Sequence, residues 1–160
     1  MTESSTDPLT TREYTITRSF GVPREQVFKA WTEPARLARW FGPHGFSTPE
    51  DRISLDVRPG GAWKACVVAE DGKEAWLDGV YREVAEPEQL VFTTGDPDNT
   101  EGEPASVVTV TFGDLGDGSE MWFRQAAVNT DEAHAEAARI GWTQYFDRLA
   151  AYLAEVAKTG

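Results

Sequence analysis

The chain has 160 residues, of which 40% are hydrophobic, 11% aromatic and 26% charged, and its formal net charge is −12. This composition is ordinary for one soluble globular domain and unlike that of a disordered protein. Because 27 acidic residues outnumber 15 basic ones, the charge argues against nucleic acids and anionic membrane surfaces as partners.

The single cysteine, Cys66, excludes an internal disulfide, which suits a reducing compartment. The first twelve residues are polar and contain no apolar stretch typical of a secretion signal. No apolar run approaches the length of about 18 residues that a membrane-spanning helix needs. We therefore expect a cytoplasmic protein.

The N-terminal third predicts one strand and two short helices. Residues 1–12 are rich in Thr, Ser and Glu and predict a disordered lead-in to a single domain over residues 13–158. From Glu13 to Phe20 apolar residues alternate with polar ones, which is typical of a strand with one buried face. Pro23 and Pro34 each begin a short apolar helix, and Gly42-Pro43 ends the second.

The rest of the chain predicts a hairpin-connected sheet followed by one long helix. Alternating apolar residues predict strands over 53–57, 63–67, 77–81, 90–94, 108–112 and 121–124. Residues 95–104 are acidic and rich in turn formers, and they predict a loop. Apolar residues at three- and four-residue steps predict a helix from about Asp131 to Lys158. The expected fold is therefore α+β: a curved antiparallel sheet of about six to seven strands around a long C-terminal helix.

A sheet that bends around a helix leaves a gap where the two short helices meet its far end, and small ligands bind in such gaps. The candidate ligand-binding residues are apolar and face inward by their strand or helix position: Trp40, Phe41, Trp63, Ala65, Val67, Tyr81, Phe92, Val110, Phe112, Phe123, Trp142, Phe146 and Leu149. Packing in a filled core explains the same pattern, because sequence does not show whether a core is underfilled.

Several segments resemble a known family. They are RSFGVPREQVFKAWTEPARLARWFGP (18–43), RPGGAW (58–63), GVYREVAEPEQLVFT (79–93), VTVTF (108–112) and GWTQYFDRLAAYL (141–153). In this order they are similar to the bacterial proteins related to the activator of the heat-shock-protein-90 ATPase. That family belongs to the START-like, or SRPBCC, superfamily with the helix-grip fold, and the resemblance implies a deep apolar cavity under the long helix.

The resemblance leaves the function open, because fold does not fix chemistry. Members of the superfamily include lipid and sterol carriers, polyketide aromatases and cyclases, hydroxylase domains and antibiotic self-resistance proteins. The eukaryotic co-chaperone carries a further N-terminal domain for its chaperone partner, and this chain has no room for one. The family name also implies a role in the stress response.

Few residues have the spacing of a catalytic or metal site. His44 and His134 are the only histidines, and neither has the spaced partners that a zinc site needs. His44 lies in the loop GPHGF, either at the pocket mouth or exposed to solvent. Cys66 shares strand parity with Lys64, which would weakly activate the thiol, or else it is an inert core residue. We therefore predict no metal, no cofactor and no catalytic residue.

Trp76 and Trp122 have the wrong parity for the inner face. Together with Arg124 they form either an exposed patch for a homodimer or a local cluster. The leading functional hypothesis is binding of a small hydrophobic or aromatic molecule between sheet and helix. The alternatives are antibiotic sequestration, a cyclase-like enzyme using an inward-pointing Arg18, Arg124 or His44, and a co-chaperone-type interaction.

Overall fold

The computed structural model describes residues 10–95 and 106–159. The predicted lead-in lies outside the described residues as far as residue 9, and residues 10–12 belong to the first strand. Of the predicted acidic loop, residues 95–104, only Gly95 is described. Among the helices of the described ranges, none is both long and apolar enough to cross a membrane.

Eight strands and three α-helices make up the described fold. In chain order the elements are β1 (Thr10–Phe20), α1 (Arg24–Thr32), α2 (Pro34–Leu37), β2 (Phe46–Ser47), a 3-10 helix (Glu50–Arg52), β3 (Ser54–Leu55), β4 (Ala62–Ala69), β5 (Glu74–Ala85), β6 (Gln89–Thr94), β7 (Ser106–Asp114), β8 (Ser119–Thr130) and α3 (Glu132–Thr159). The predicted α+β class is correct. The strand number exceeds the prediction because β2 has two residues, too few for an alternation to be visible; the strand predicted over 53–57 is limited to Ser54–Leu55.

All strand pairs are antiparallel, and the sheet order is β1-β8-β7-β6-β5-β4-β2, with β3 paired to β4. The first strand therefore lies beside the last one. Consecutive strands from β4 to β8 are neighbours, as the hairpin turns predict. With α3 packed against this sheet, the arrangement is the helix-grip fold.

A proline sets the boundary between the two short helices. Glu33 precedes Pro34 and has an extended backbone, φ −108 and ψ 123, because the proline ring disfavours the helical conformation of the residue before it. α1 therefore ends at Thr32, and Pro34 begins α2 at the first helical position, where its missing N–H costs nothing. The break turns the chain so that Trp31 and Phe41 both point into the core.

The core lies between the concave face of the sheet and a stripe on α3. Trp142, Phe146, Leu149 and Leu153 are buried, and they recur at three- and four-residue steps as the helix period predicts. Opposite them lie Phe123 of β8, Trp31 of α1 and Trp40 in the turn after α2. This interface holds the long helix against the sheet.

Candidate functional site

A small apolar cavity lies where α1, α2 and the turn after α2 meet strands β3 to β6. Its lining residues are Trp31, Leu37, Phe41, Leu55, Trp63, Tyr81, Leu90 and Phe92. All are buried except Leu55, which is half-buried and brings the cavity to the surface. The cavity has a volume of about 20 Å³, which is room for about one water molecule.

The strand register brings three of the lining rings together. Tyr81 of β5 pairs directly with Phe92 of β6, and Trp63 of β4 pairs with Gly79 of β5. A Cβ atom at position 79 would lie 1.7 Å from the Thr93 carbonyl oxygen and 2.6 Å from Nε1 of Trp63. Only glycine fits there. Because glycine has no side chain, Trp63 Nε1 can donate a hydrogen bond of 3.0 Å to that oxygen.

The space beneath α3 is filled with aromatic rings. The ring centroid of Trp31 lies 4.9 Å from that of Trp40 and 6.1 Å from those of Trp142 and Phe146. Phe123 completes the cluster, 4.7 Å from Trp142. These rings occupy the position of the deep cavity that the family resemblance implies, so the space that remains lies at the end of the sheet near α1 and α2.

The predicted ligand-binding residues divide into two groups. Phe41, Trp63, Tyr81 and Phe92 line the cavity. The others are buried in the core outside its lining: Trp40, Ala65, Val67, Val110, Phe112, Phe123, Trp142, Phe146 and Leu149. The prediction did not include four lining residues, Trp31, Leu37, Leu55 and Leu90. Their apolar helix or strand positions were visible in the sequence, but their proximity depends on how the two short helices pack.

Few polar atoms border the cavity. Trp63 Nε1 is hydrogen-bonded to Thr93, whereas Trp31 Nε1 is buried with no hydrogen-bond partner among the described residues. The Tyr81 hydroxyl forms no hydrogen bond with any residue of the described ranges. Burial raises the pKa of Tyr81, and the nearby Asp56 carboxylate raises it further, so the phenol is neutral at physiological pH.

A line of polar side chains crosses the inner face of the sheet and was not predicted. Tyr14 donates a hydrogen bond to Gln125 Oε1, and Gln125 Nε2 donates one of 2.8 Å to Ser106 Oγ. Ser106 Oγ lies 2.6 Å from Thr94 Oγ1. The line joins β1, β8, β7 and β6 and satisfies the buried polar groups. Gln125 has the same strand parity as Phe123, which is the signal that places it inward.

Both histidines lie on the surface in acidic surroundings. His44 is 58% exposed, with its Nε2 atom 3.7 Å from Asp147 Oδ2, and its backbone N–H donates to Gln144 Oε1. His134 Nδ1 lies 2.7 Å from Asp131 Oδ1, and its backbone and ring lower the pKa of that carboxyl group. Within the described part of the chain, no group of three or more His, Cys, Asp or Glu could hold a metal ion.

Cys66 is a buried free thiol beneath an ion pair. Arg52 Nη1 lies 3.8 Å from the Cys66 sulfur and 2.7 Å from Glu74 Oε2. The cationic neighbour is therefore Arg52 of the 3-10 helix. Lys64, which strand parity suggested, instead places Nζ 5.2 Å from the ring centroid of Trp76.

The predicted outer patch is divided, and the arginines considered for catalysis lie in surface ion pairs. Trp76 is 47% exposed on β5 and Trp122 is 39% exposed on β8; two strands separate them, so three strand spacings of about 4.8 Å lie between their backbones. Arg18 Nη2 lies 2.7 Å from Asp147 Oδ1, and Arg124 Nη2 lies 3.2 Å from Glu13 Oε2.

Comparison with known proteins identifies relatives over nearly the whole chain. The model of a family described as Activator of Hsp90 ATPase homolog 1-like protein matches residues 21–154. None of the curated proteins compared with the chain matches it. Many solved structures share the fold; among them are three proteins from different organisms, and two of these three proteins are more than 25% identical to this chain.

The first of these structures is a protein from Nitrosomonas europaea, 22% identical, with a TM-score of 0.78 over 91% of this chain and 96% of the other. The AHSA1 protein from Silicibacter pomeroyi is 27% identical, with a TM-score of 0.77 over 89% and 98%. A protein from Chromobacterium violaceum is 26% identical, with a TM-score of 0.76 over 88% and 96%. The predicted helix-grip fold is confirmed.

Proposed function

Because the chain belongs to the family of Activator of Hsp90 ATPase homolog 1-like proteins, whose fold often binds ligands, we propose that it binds a small apolar or aromatic molecule. The observation that carries the proposal is the cavity of eight apolar and aromatic side chains that reaches the surface at Leu55. Concave apolar sites with a few polar groups are the usual form of ligand pockets.

The size of the cavity sets a condition on binding. About 20 Å³ is far less than the cavity of about 150 Å³ that binds benzene in an engineered core. A ring-sized ligand must therefore displace part of the wall. Leu55 is the side chain that moves at least cost, because it is half-buried and β3 has two residues that pair with β4 alone.

The proposal is tested by thermal unfolding with toluene, naphthalene and α-methylstyrene. A ligand at ten times its Kd stabilises the native state by about 1.4 kcal/mol and raises Tm by roughly 3–6 °C in a chain of this size. Leu55→Trp fills the opening and is expected to abolish the shift. Leu115→Trp is the matched control, since Leu115 is 56% exposed in the β7–β8 turn. Equal shifts in both variants, or none in the natural chain, contradict the proposal.

Two narrower forms of the function share this cavity. Sequestration of an antibiotic predicts that expression of the chain raises the resistance of a sensitive host, and that Leu55→Trp removes the effect. A cyclase-like reaction requires an acid or base at the ligand. The one ionisable group among the eight lining side chains is the phenol of Tyr81, whose pKa burial raises, so none of them is a base at neutral pH and binding has the stronger support.

An interaction with a chaperone ATPase is the second candidate function, which the family description favours. It predicts that the chain stimulates the turnover of a heat-shock-protein-90 ATPase from a bacterial host. An unchanged ATPase rate at a large excess of the chain eliminates it. A role in the stress response follows only if this stimulation is observed, and the cytoplasm is the location that we propose for either function.

A homodimer through the outer face of the sheet is a further part of the proposal. Trp76 and Val80, both on β5, are 47% and 42% exposed, and exposed aromatic residues are enriched at interfaces. Sedimentation analysis is expected to show a dimer that Trp76→Glu dissociates. A monomer at every concentration rules this interface out.

A further inference from the structure

The indole N–H of Trp31 has no partner in a place where buried donors almost always have one. Trp31 is 4% exposed, and its Nε1 atom is buried without a hydrogen bond among the described residues. Two neighbouring tryptophans are satisfied: Trp40 Nε1 donates to the Ala30 carbonyl oxygen at 3.0 Å, and Trp63 Nε1 donates to that of Thr93 at 3.0 Å. A buried unpaired donor calls for a partner from outside the chain.

The cavity is where such a partner would bind, because Trp31 is one of its lining residues. Tyr81 lines the same cavity and is 4% exposed, and its aromatic ring adds to the apolar wall. Both side chains pack on Phe92, with ring centroids 5.9 Å and 6.4 Å away. The wall of the cavity therefore holds one unpaired donor, Trp31 Nε1, among apolar groups.

Three kinds of oxygen are candidates for the acceptor: a carboxylate, a hydroxyl and a carbonyl. The chemistry of the cavity lining favours one of them. A carboxylate is disfavoured, because no lining residue carries a positive charge and an unpaired buried charge is very costly. A hydroxyl brings a proton that needs an acceptor of its own. A carbonyl oxygen accepts only, so it satisfies the indole N–H of Trp31 and brings no donor of its own.

We propose that the ligand of the cavity carries a carbonyl group, whose oxygen accepts a hydrogen bond from the indole nitrogen of Trp31. This inference rests on the proposed function, since it names the class of molecule that the same cavity binds. The class is a small apolar ketone or quinone.

The experiment compares two probes of nearly the same shape, acetophenone and α-methylstyrene, which differ in having C=O or C=CH₂. The ratio of their dissociation constants isolates the hydrogen bond, because both probes make similar apolar contacts. Trp31→Phe removes the donor. It is expected to weaken the binding of acetophenone, relative to that of α-methylstyrene, by about 3- to 10-fold, the usual value of one hydrogen bond. Trp40→Phe is the matched control, because Trp40 Nε1 is already bonded to Ala30, and the ratio is expected to stay unchanged.

A second measurement needs no variant. In the natural chain labelled with ¹⁵N, acetophenone is expected to move the indole proton resonance of Trp31 downfield, whereas α-methylstyrene is not. If both probes bind but neither the ratio nor the resonance changes, the carbonyl inference is wrong and the proposed function stands. If neither probe binds, the proposed function is wrong, and the inference is lost with it.

Discussion

Arg148, in the middle of α3, donates a hydrogen bond of 3.0 Å from Nη1 to the carbonyl oxygen of Gly42. The same nitrogen lies 3.4 Å and 3.3 Å from the carbonyl oxygens of Phe41 and Pro43. Burial lowers the pKa of Arg148, although an arginine stays charged in a protein. Because Phe41 lines the cavity, this guanidinium attaches one wall of the site to the long helix.

Arg148→Met is therefore expected to lower the free energy of unfolding by about 1–3 kcal/mol, because three carbonyl groups lose a charged donor. Urea denaturation measures the change. Arg58→Met is the control: Arg58 pairs with Asp56 at the surface, where both side chains are at least half exposed, and its loss costs about 0.5 kcal/mol or less. Equal losses in the two variants contradict the structural role of Arg148.

Gly79→Ala is expected to be among the most damaging single changes in the sheet. The new Cβ atom would lie 1.7 Å from the Thr93 carbonyl oxygen, so the β5–β6 pairing must open. We expect a loss of about 3 kcal/mol or more in the free energy of unfolding. Circular dichroism during urea denaturation detects it, and a variant as stable as the natural chain is incompatible with the described β5–β6 register.

Gly141→Ala is expected to act in the opposite direction. Gly141 lies inside α3, and apart from its chain neighbours and the backbone of its own helix, no atom lies within 4 Å of a Cβ atom added there. Alanine should therefore stabilise the protein by about 0.5–1 kcal/mol, because it restricts the unfolded chain without a clash. A rise in the urea midpoint at an unchanged m-value checks this. A fall in the midpoint would mean that the helix packs more closely at this position.

Leu90→Ala is expected to enlarge the cavity and to improve binding of small rings. Leu90 is 1% exposed and lines the cavity, so its truncation should cost about 2–5 kcal/mol. The new space should bind toluene more tightly than the natural chain does, as other engineered apolar cavities bind benzene. Calorimetric titration measures both affinities, with exposed Leu115→Ala as the control that leaves binding unchanged.

Alkaline pH is expected to destabilise the fold through its buried tyrosines. Burial raises the pKa of Tyr145 to about 12, from the model-compound value of 10.0. A raised pKa gives stability that is complete below pH 10 and is lost as the pH rises to about 12, with a slope of roughly 1 kcal/mol per pH unit. Urea midpoints at pH 9 and 11 should therefore differ more in the natural chain than in Tyr145→Phe.

The inner face of the sheet could be predicted because a strand has a strict period of two. Trp63, Tyr81 and Phe92 follow from that period alone, and their burial agrees with it. The size of the space between them did not follow, since it depends on how Trp31 packs against rings from β6, β8, α3 and the turn after α2. A helical stripe predicts only that Trp31 faces inward.

Long-range polar contacts could not be predicted from the hydrophobic pattern either. Tyr14 and Gln125 are 111 positions apart, and Arg148 and Gly42 are 106 apart. Hydrophobic periodicity carries no information on which distant polar groups meet. Gly79 could be predicted only in part. The sequence places it within a strand, but the positions of Thr93 and Trp63 are needed to explain why a side chain does not fit there.

The pairing of β1 with β8 has a consequence for the order of folding. Phe20 lies opposite Ser119 and Thr10 opposite Thr130, so the first strand to leave the ribosome has no partner until most of the chain has been made. Contacts of such long sequence separation slow folding. The inner residues of β1, Tyr14 and Ile16 among them, stay uncovered during that time, which makes the nascent chain a candidate for chaperone protection.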